Sequence, residues 1–178
     1  QYGVGVIFLP KNKHCLSTIQ QIVKSITELE GQELLGWRDV PCDSNAIGEL
    51  AKQSEPDIKQ FIIKNNCKDQ ISFERKLYVI RRLIEKETDS LGEEFSSTYL
   101  PSLSSRTIIY KGLLLADQIG RYYADLNDED FKSAIAVVHQ RFSTNTFPTW
   151  PLAQPFRFIS HNGEINTLKG NVNAMKAR

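Results

Sequence analysis

The sequence predicts an α+β fold. Three observations carry that prediction. Short apolar runs of strand length stand beside longer stripes at helical spacing. The two kinds mix without the regular βαβ rhythm of a doubly wound parallel sheet. Finally, 178 residues, 40% hydrophobic and 24% charged, match a globular chain of one domain. About 70% of the unfolded surface can be buried at this size, enough for a substantial core.

The elements follow in order. Tyr2 to Leu9 reads as a buried strand ended by Pro10. Ile19, Ile22, Val23, Ile26 and Leu29 keep helical spacing, with Gly31 as the stop. Leu34 to Val40 is a second strand closed by Pro41. Asn45 is placed to cap a short helix through Lys52, and Ile58 to Lys64 suits a strand. Phe73, Leu77, Ile80, Leu83 and Ile84 form a second amphipathic stripe. Its opposite face, with Glu74, Arg75, Arg81, Arg82, Glu85 and Lys86, reads as solvated. Thr88 to Ser97 is a polar loop, and Leu100 to Leu103 with Thr107 to Lys111 read as paired strands. A helix over Leu115 to Tyr123 and a turn over Asn127 to Asp130 come next. Ala134 to His139 and Phe156 to Ser160 are short apolar runs that end in polar residues. Ile165, Leu168, Val172 and Met175 give a last helical stripe. No internal repeat or low-complexity segment interrupts this order.

Composition narrows the function classes. A formal charge of +1 gives no electrostatic reason to expect nucleic acid or an anionic membrane. No apolar run approaches the length of a spanning helix. Tyr2 to Pro10 lacks the basic flank and small-residue cleavage site of a signal peptide. Cys15, Cys42 and Cys67 are odd in number and widely spaced, which argues for a reducing compartment rather than a disulfide framework. None stands in a Cys-x-x-Cys pair, so a zinc or iron–sulfur site within this chain is not expected.

The residues with chemical potential lie between His139 and Asn173. Arg141 follows the run Ala134-Ile135-Ala136-Val137-Val138, which should enter the sheet. An arginine at the end of a buried strand can present a bidentate fork to a carboxylate; a structural ion pair accounts for it equally well. Asn162-Gly163 after Phe156-Arg157-Phe158-Ile159-Ser160 is first of all a turn signal. The same geometry has a chemical reading. The Asn162 side-chain amide and the Gly163 backbone N–H can aim two donors at one oxyanion, and losing one such donor typically costs about 10²–10³ in rate. Gly163 also lets a substrate come close. His139 and His161 have no clear carboxylate partner in the sequence and are weak candidates for a metal ligand or a general base. Tyr2-Gly3-Val4-Gly5 lacks the third glycine of a nucleotide loop. Trp150 between Pro148 and Pro151 fits a packed loop corner better than a ligand platform.

Two motifs together carry a resemblance. His139-Gln140-Arg141-Phe142-Ser143-Thr144-Asn145-Thr146 and His161-Asn162-Gly163-Glu164-Ile165-Asn166 closely resemble the glutaminase domain of the glutamate synthase family, a class II, N-terminal-nucleophile amidotransferase domain. Thr146-Phe147-Pro148-Thr149-Trp150-Pro151-Leu152-Ala153-Gln154-Pro155 between them is similar to the connection of that family rather than of other class II amidotransferases. Leu35 to Pro41, Phe73 to Tyr78 and Leu103 to Ile108 also resemble it, so the likeness covers nearly the whole chain.

The resemblance implies a partial αββα sandwich with antiparallel sheets, of the N-terminal-nucleophile hydrolase type. It implies that residues 1–178 are part of one glutamine amidotransferase type 2 domain, truncated at both ends. In the family an N-terminal cysteine, helped by its own α-amino group, attacks the glutamine side-chain amide, releases ammonia and leaves a glutamyl thioester for hydrolysis. By resemblance, Arg141 grips the substrate α-carboxylate, Thr144 and Asn145 line the pocket, and Asn162 with Gly163 forms the oxyanion hole. The ammonia passes to a flavin domain, where 2-oxoglutarate is reductively aminated to glutamate. FMN and a 3Fe-4S cluster are implied for that domain, with FAD as a further candidate, and ferredoxin or an NADPH-oxidising small subunit as electron source.

The chain departs from the family pattern. Residue 1 is Gln1, and none of the three cysteines is placed to replace the nucleophile. Tyr2-Gly3-Val4-Gly5 is superficially similar to the family's Cys-Gly-Val-Gly start but fits a later internal strand better. Ala174 stands where the family commonly has tryptophan, and the acidic residue for the substrate α-amino group is expected beyond Arg178. The expectation is therefore an internal piece of the domain, inactive alone and prone to aggregate at an exposed sheet edge. A non-catalytic amino-acid-binding module and another class II amidotransferase are the rival readings. Lys-, Asn- and Ile-rich usage suits an AT-rich algal plastid or cyanobacterial genome and leans towards the ferredoxin type, in cytoplasm or plastid stroma.

Overall fold

Residue placement is described for residues 1–142, 147–156 and 168–177 in a computed structural model of the chain. Among these, β1 (Tyr2–Leu9), β2 (Glu33–Asp39), β3 (Asp57–Lys64) and β4 (Tyr99–Ser104) form one antiparallel sheet in the order β2-β3-β1-β4. The helices are α1 (Lys13–Leu29), α2 (Glu49–Gln53), α3 (Gln70–Asp89), α4 (Ile119–Tyr122) and α5 (Leu168–Lys176). The α+β class read from the sequence is what the chain adopts, with one antiparallel layer of the partial sandwich among the described residues.

The central strand β1 is apolar on both sides, as a strand covered on both faces must be. Ile7 and Leu9 point to one core, Val6 and Phe8 to the other. The first core receives Cys15, Ile19 and Val23 from α1 and Phe73, Leu77, Ile80 and Ile84 from α3. Full burial of each large side chain is worth about 1.5–3 kcal/mol, so these two stripes hold the helices on the sheet. The ends are locally encoded. Asn12 caps α1 by accepting from the His14 backbone N–H at 2.9 Å, and Asp69 caps α3 by accepting from Ser72 at 2.9 Å. Gly31 ends the first turn region at φ 73°, where a side chain would be strained.

A row of side chains crosses the sheet on this face. Trp37 lies opposite Phe61, and Phe61 lies opposite Gly5. The two rings are 5.2 Å apart, and the Phe61 ring folds over the Gly5 backbone. A Cβ on Gly5 would stand 2.3 Å from two Phe61 ring carbons, so this position accepts only glycine without rearrangement.

The other face is covered mainly by irregular segments. Val40, Ile47, Ala51, Tyr122, Tyr123 and Trp150 pack there against Val6, Phe8 and Ile58. Three sequence expectations change on this side. Thr107 to Lys111 is not a strand, and β4 pairs with β1 instead. Its N–H groups turn to side chains: Ile109 donates to Ser102 Oγ at 3.2 Å, and Thr107 donates to Ser104 Oγ at 3.2 Å. The expected helix over Leu115 to Tyr123 contracts to the single turn of α4. Asp43, not Asn45, caps the 3₁₀ turn Ser44–Ala46, and the separate α2 follows Gly48.

Two further expectations are corrected. Arg81, on the face whose charges predict exposure, is only 5% exposed. Its guanidinium pairs with Glu85 one turn on at 2.6 Å, which allows the cation to lie under the helix. The run Ala134 to Val138 does not enter the sheet: it is irregular, with Ile135 80%, Val137 62% and Val138 79% exposed. An apolar pattern gives a segment something to bury, but the four strands of the sheet pair with one another and not with this run. No described helix is long and apolar enough to cross a membrane.

Candidate functional site

Two partly buried polar networks brace the irregular face. In the first, Arg38 on β2 donates from Nη1 to Asp125 Oδ2 at 2.8 Å and from Nη2 to Oδ1 at 2.5 Å. Nη1 also reaches Gln60 Oε1 at 3.0 Å, Gln60 Nε2 donates to the Tyr110 hydroxyl, and Tyr110 donates to Asp125 at 2.7 Å. The Arg38 fork, opposed in part by burial and aided by Tyr110, holds the Asp125 carboxyl below its ordinary range. Burial first, then the hydrogen bond to Asp125, pushes the Tyr110 phenol upward.

The second network centres on Glu55. Burial alone would raise its pKa, but hydrogen bonds from Lys11, Tyr122 and Ser44 outweigh that and keep it low. Cys42 sits beside this group. Burial pushes its thiol up to about 12. Burial also raises the Cys15 thiol. A nucleophilic cysteine needs the opposite environment, one that favours thiolate. Cys15 and Cys42 are therefore packing residues, and none of the three cysteines forms a disulfide.

These networks bear on the segment Phe147 to Phe156, which the sequence places between the two pocket motifs. Trp150 is a packed corner, as the sequence suggested: it is 2% exposed, edge-on to Phe8 at 6.1 Å and tilted against Tyr122 at 5.5 Å. Its indole N–H donates to the Ala51 carbonyl at 3.2 Å. Behind it Gly112 leaves the room, since a Cβ there would stand 2.3 Å from the indole ring. Lys111 is equally buried. Its ammonium donates to the Pro151 carbonyl at 2.7 Å and to the Tyr99 hydroxyl at 3.1 Å. It also lies 4.5 Å from the centre of the Tyr99 ring and 4.6 Å from that of Phe156. The Lys111 carbonyl accepts from Tyr123 at 2.8 Å. Sequence reasoning missed Lys111; the one signal was a lysine inside an apolar run and immediately before a glycine.

Of the pocket residues, Arg141 is described. It is exposed, and its backbone N–H donates to His139 Nδ1 at 3.1 Å in an irregular stretch rather than at a strand end. Thr144, Asn145, Asn162 and Gly163 lie outside the described residues, as does His161. Among the described residues no group of three or more His, Cys, Asp or Glu side chains converges as a metal site. Cys15 and Cys67 pack with the core under α1 and α3, and Cys42 with the core on the other face of the sheet.

Comparison with known proteins matches residues 1–178 to the family described as glutamine amidotransferases class-II. The chain is 49% identical over 180 residues to the NADPH glutamate synthase large chain of Bacillus subtilis, covering 100% of this chain and 12% of that protein. It is 51% identical over 181 residues to the corresponding large chain of Azospirillum brasilense, covering 98% and 12%. It is 45% identical over 177 residues to the chloroplastic ferredoxin-dependent glutamate synthase of Oryza sativa subsp. japonica, covering 99% and 11%. The chain thus spans about 12% of the length of the curated relatives it matches.

Proposed function

The chain belongs to the class II glutamine amidotransferases, and from that premise we propose that it forms part of the glutaminase domain of a glutamate synthase large chain. The observation that carries this is the likeness along the whole chain to glutamate synthases, the Thr146 to Pro155 connection included. In this reading residues 1–178 are part of one amidotransferase domain, and the reaction is glutamine plus water to glutamate plus ammonia. The Arg141 guanidinium pairs with the substrate α-carboxylate, and its exposure leaves the fork accessible. Thr144 and Asn145 line the pocket. A cysteine thiolate outside these residues forms the S–C bond to the amide carbon. The oxyanion rests on the Asn162 amide and the Gly163 N–H. Collapse breaks the C–N bond, the leaving nitrogen takes a proton and departs as ammonia, and water then cleaves the thioester.

In this reading the ammonia is channelled to a second domain of the same polypeptide, which reductively aminates 2-oxoglutarate to glutamate. In the same reading FMN, a 3Fe-4S cluster and any FAD belong to the rest of that polypeptide. The partners are glutamine and either ferredoxin or an NADPH-oxidising small subunit. Identity is 49–51% to two NADPH forms and 41–46% to several ferredoxin-dependent ones, which lends nothing to the compositional lean towards ferredoxin. The compartment is the cytoplasm, or the plastid stroma in an alga; relatives from plants are named chloroplastic.

Ammonia release from glutamine tests this with two samples, the 178-residue chain and the full-length polypeptide that carries it. Release by the full-length protein alone is expected. Turnover by the short chain overturns its proposed inactivity, and a full-length protein that leaves glutamine intact overturns the glutaminase reading.

A further inference from the structure

Residues 147–156, the described part of the segment between the two pocket motifs, form no helix or strand, yet they are fixed at successive points. The Trp150 indole is buried and bonded to Ala51, the Pro151 carbonyl accepts from the Lys111 ammonium, and the Phe156 ring lies over the same ammonium. Lys111 is 2% exposed, and burying a cation is unfavourable unless its donors are used. Here they hold a main-chain carbonyl, so the cation specifies one conformation of the segment. Gly112 reinforces this, because its missing side chain is the space that the Trp150 ring fills. In sequence, Asn145 stands five residues before Trp150, and Asn162 six after Phe156.

We propose that Lys111, with Gly112 and Trp150, is the positioning device of the glutamine pocket, fixing the segment from which both pocket motifs depart. The inference rests on the glutaminase reading. Reactions that depend on placed donors are sensitive to such anchors: a displacement of about 1 Å can cost about 10²-fold.

The test uses the full-length polypeptide with Lys111→Met, which keeps the apolar stem and removes the donors. Glutamine-supported glutamate synthesis and synthesis from added ammonia are measured side by side. The expected result is a fall of about tenfold or more in kcat/KM for glutamine, with the ammonia-supported rate within about twofold of wild type. A second variant approaches from the other side. Gly112→Ala should impair glutamine use by displacing Trp150, and Trp150→Phe in that background should partly restore it. Equal loss of both activities in Lys111→Met, or unchanged kcat/KM for glutamine, overturns the proposal. If Lys111→Met does not fold, the Gly112→Ala pair decides: no glutamine-specific defect, or no restoration, also overturns it. Wild-type enzyme that does not use glutamine at all refutes the underlying glutaminase reading instead.

Discussion

Gly5→Ala should destabilise the chain through one identifiable clash. The new Cβ would lie 2.3 Å from two carbons of the Phe61 ring and 2.8 Å from a third. The ring cannot simply swing aside, because it is fully buried and backed by Trp37 at 5.2 Å. Overpacking of this kind costs about 1–3 kcal/mol, and contacts this short place it in the upper half of that range. For a chain of this length about 1 kcal/mol moves Tm by roughly 2–4 °C, so a fall of roughly 4–12 °C is expected. Phe61→Leu alone should cost about 1–3 kcal/mol, since a smaller side chain leaves a partial cavity. Combined with Gly5→Ala it should cost at least about 1 kcal/mol less than the two changes summed, because the clash is gone. Urea denaturation followed by tryptophan fluorescence and far-UV circular dichroism measures all four proteins. Additivity within about 0.5 kcal/mol, or a Gly5→Ala variant as stable as wild type, would refute the steric argument.

Two other perturbations test the rest of the fold. Asp125 has a depressed pKa in the folded chain, so its stabilisation is fully present above the ordinary aspartate value near 4 and is lost as pH falls through the lower folded value. Asp125→Asn should cost about 1–2 kcal/mol at pH 7, discounted for the half-exposed Arg38, and the difference from wild type should shrink below about pH 4; a gap constant down to pH 2 contradicts the network. Ile135→Thr with Val138→Thr should change stability by less than about 0.5 kcal/mol each and reduce light scattering on heating, since both side chains are exposed. A loss of about 2 kcal/mol or more per site, as for a buried strand, would show that the run is packed after all.

The legible parts of the fold were those where one period and one partner agree. α1 and α3 carry their buried stripes at 3.6-residue spacing, and β1 and β3 are apolar runs bounded by breakers, so pattern alone located them. Arg81 was misassigned because charge predicts exposure, whereas the helix supplies Glu85 at the right turn to carry it inward. Thr107 to Lys111 has a strand's composition, but the Ser102 and Ser104 hydroxyls take over the role of a ladder. Ala134 to Val138 shows the limit from the other side: an apolar pattern states what a segment would bury, not where its partner is. At the pocket, local physics left Arg141 and Asn162 with two readings each. It was the joint likeness of the two motifs that suggested the roles proposed above. Lys111 stayed hidden because its role depends on Pro151, forty residues away.

The strand that comes first in the sequence is flanked in the sheet by partners made much later. β1 ends at Leu9, whereas β3 begins at Asp57 and β4 closes at Ser104. A ribosome adds about 5–20 residues per second, so roughly 5–20 s separate the synthesis of β1 from that of its second neighbour. Until Lys64 is made the edges that β3 and β4 will cover are both unpaired, and until Ser104 one still is, while α1 can already form from local contacts. Slow codons upstream of Ser104 would lengthen the exposure. A holdase that binds Tyr2 to Leu9 during translation would therefore raise the yield of folded chain more than one acting after release.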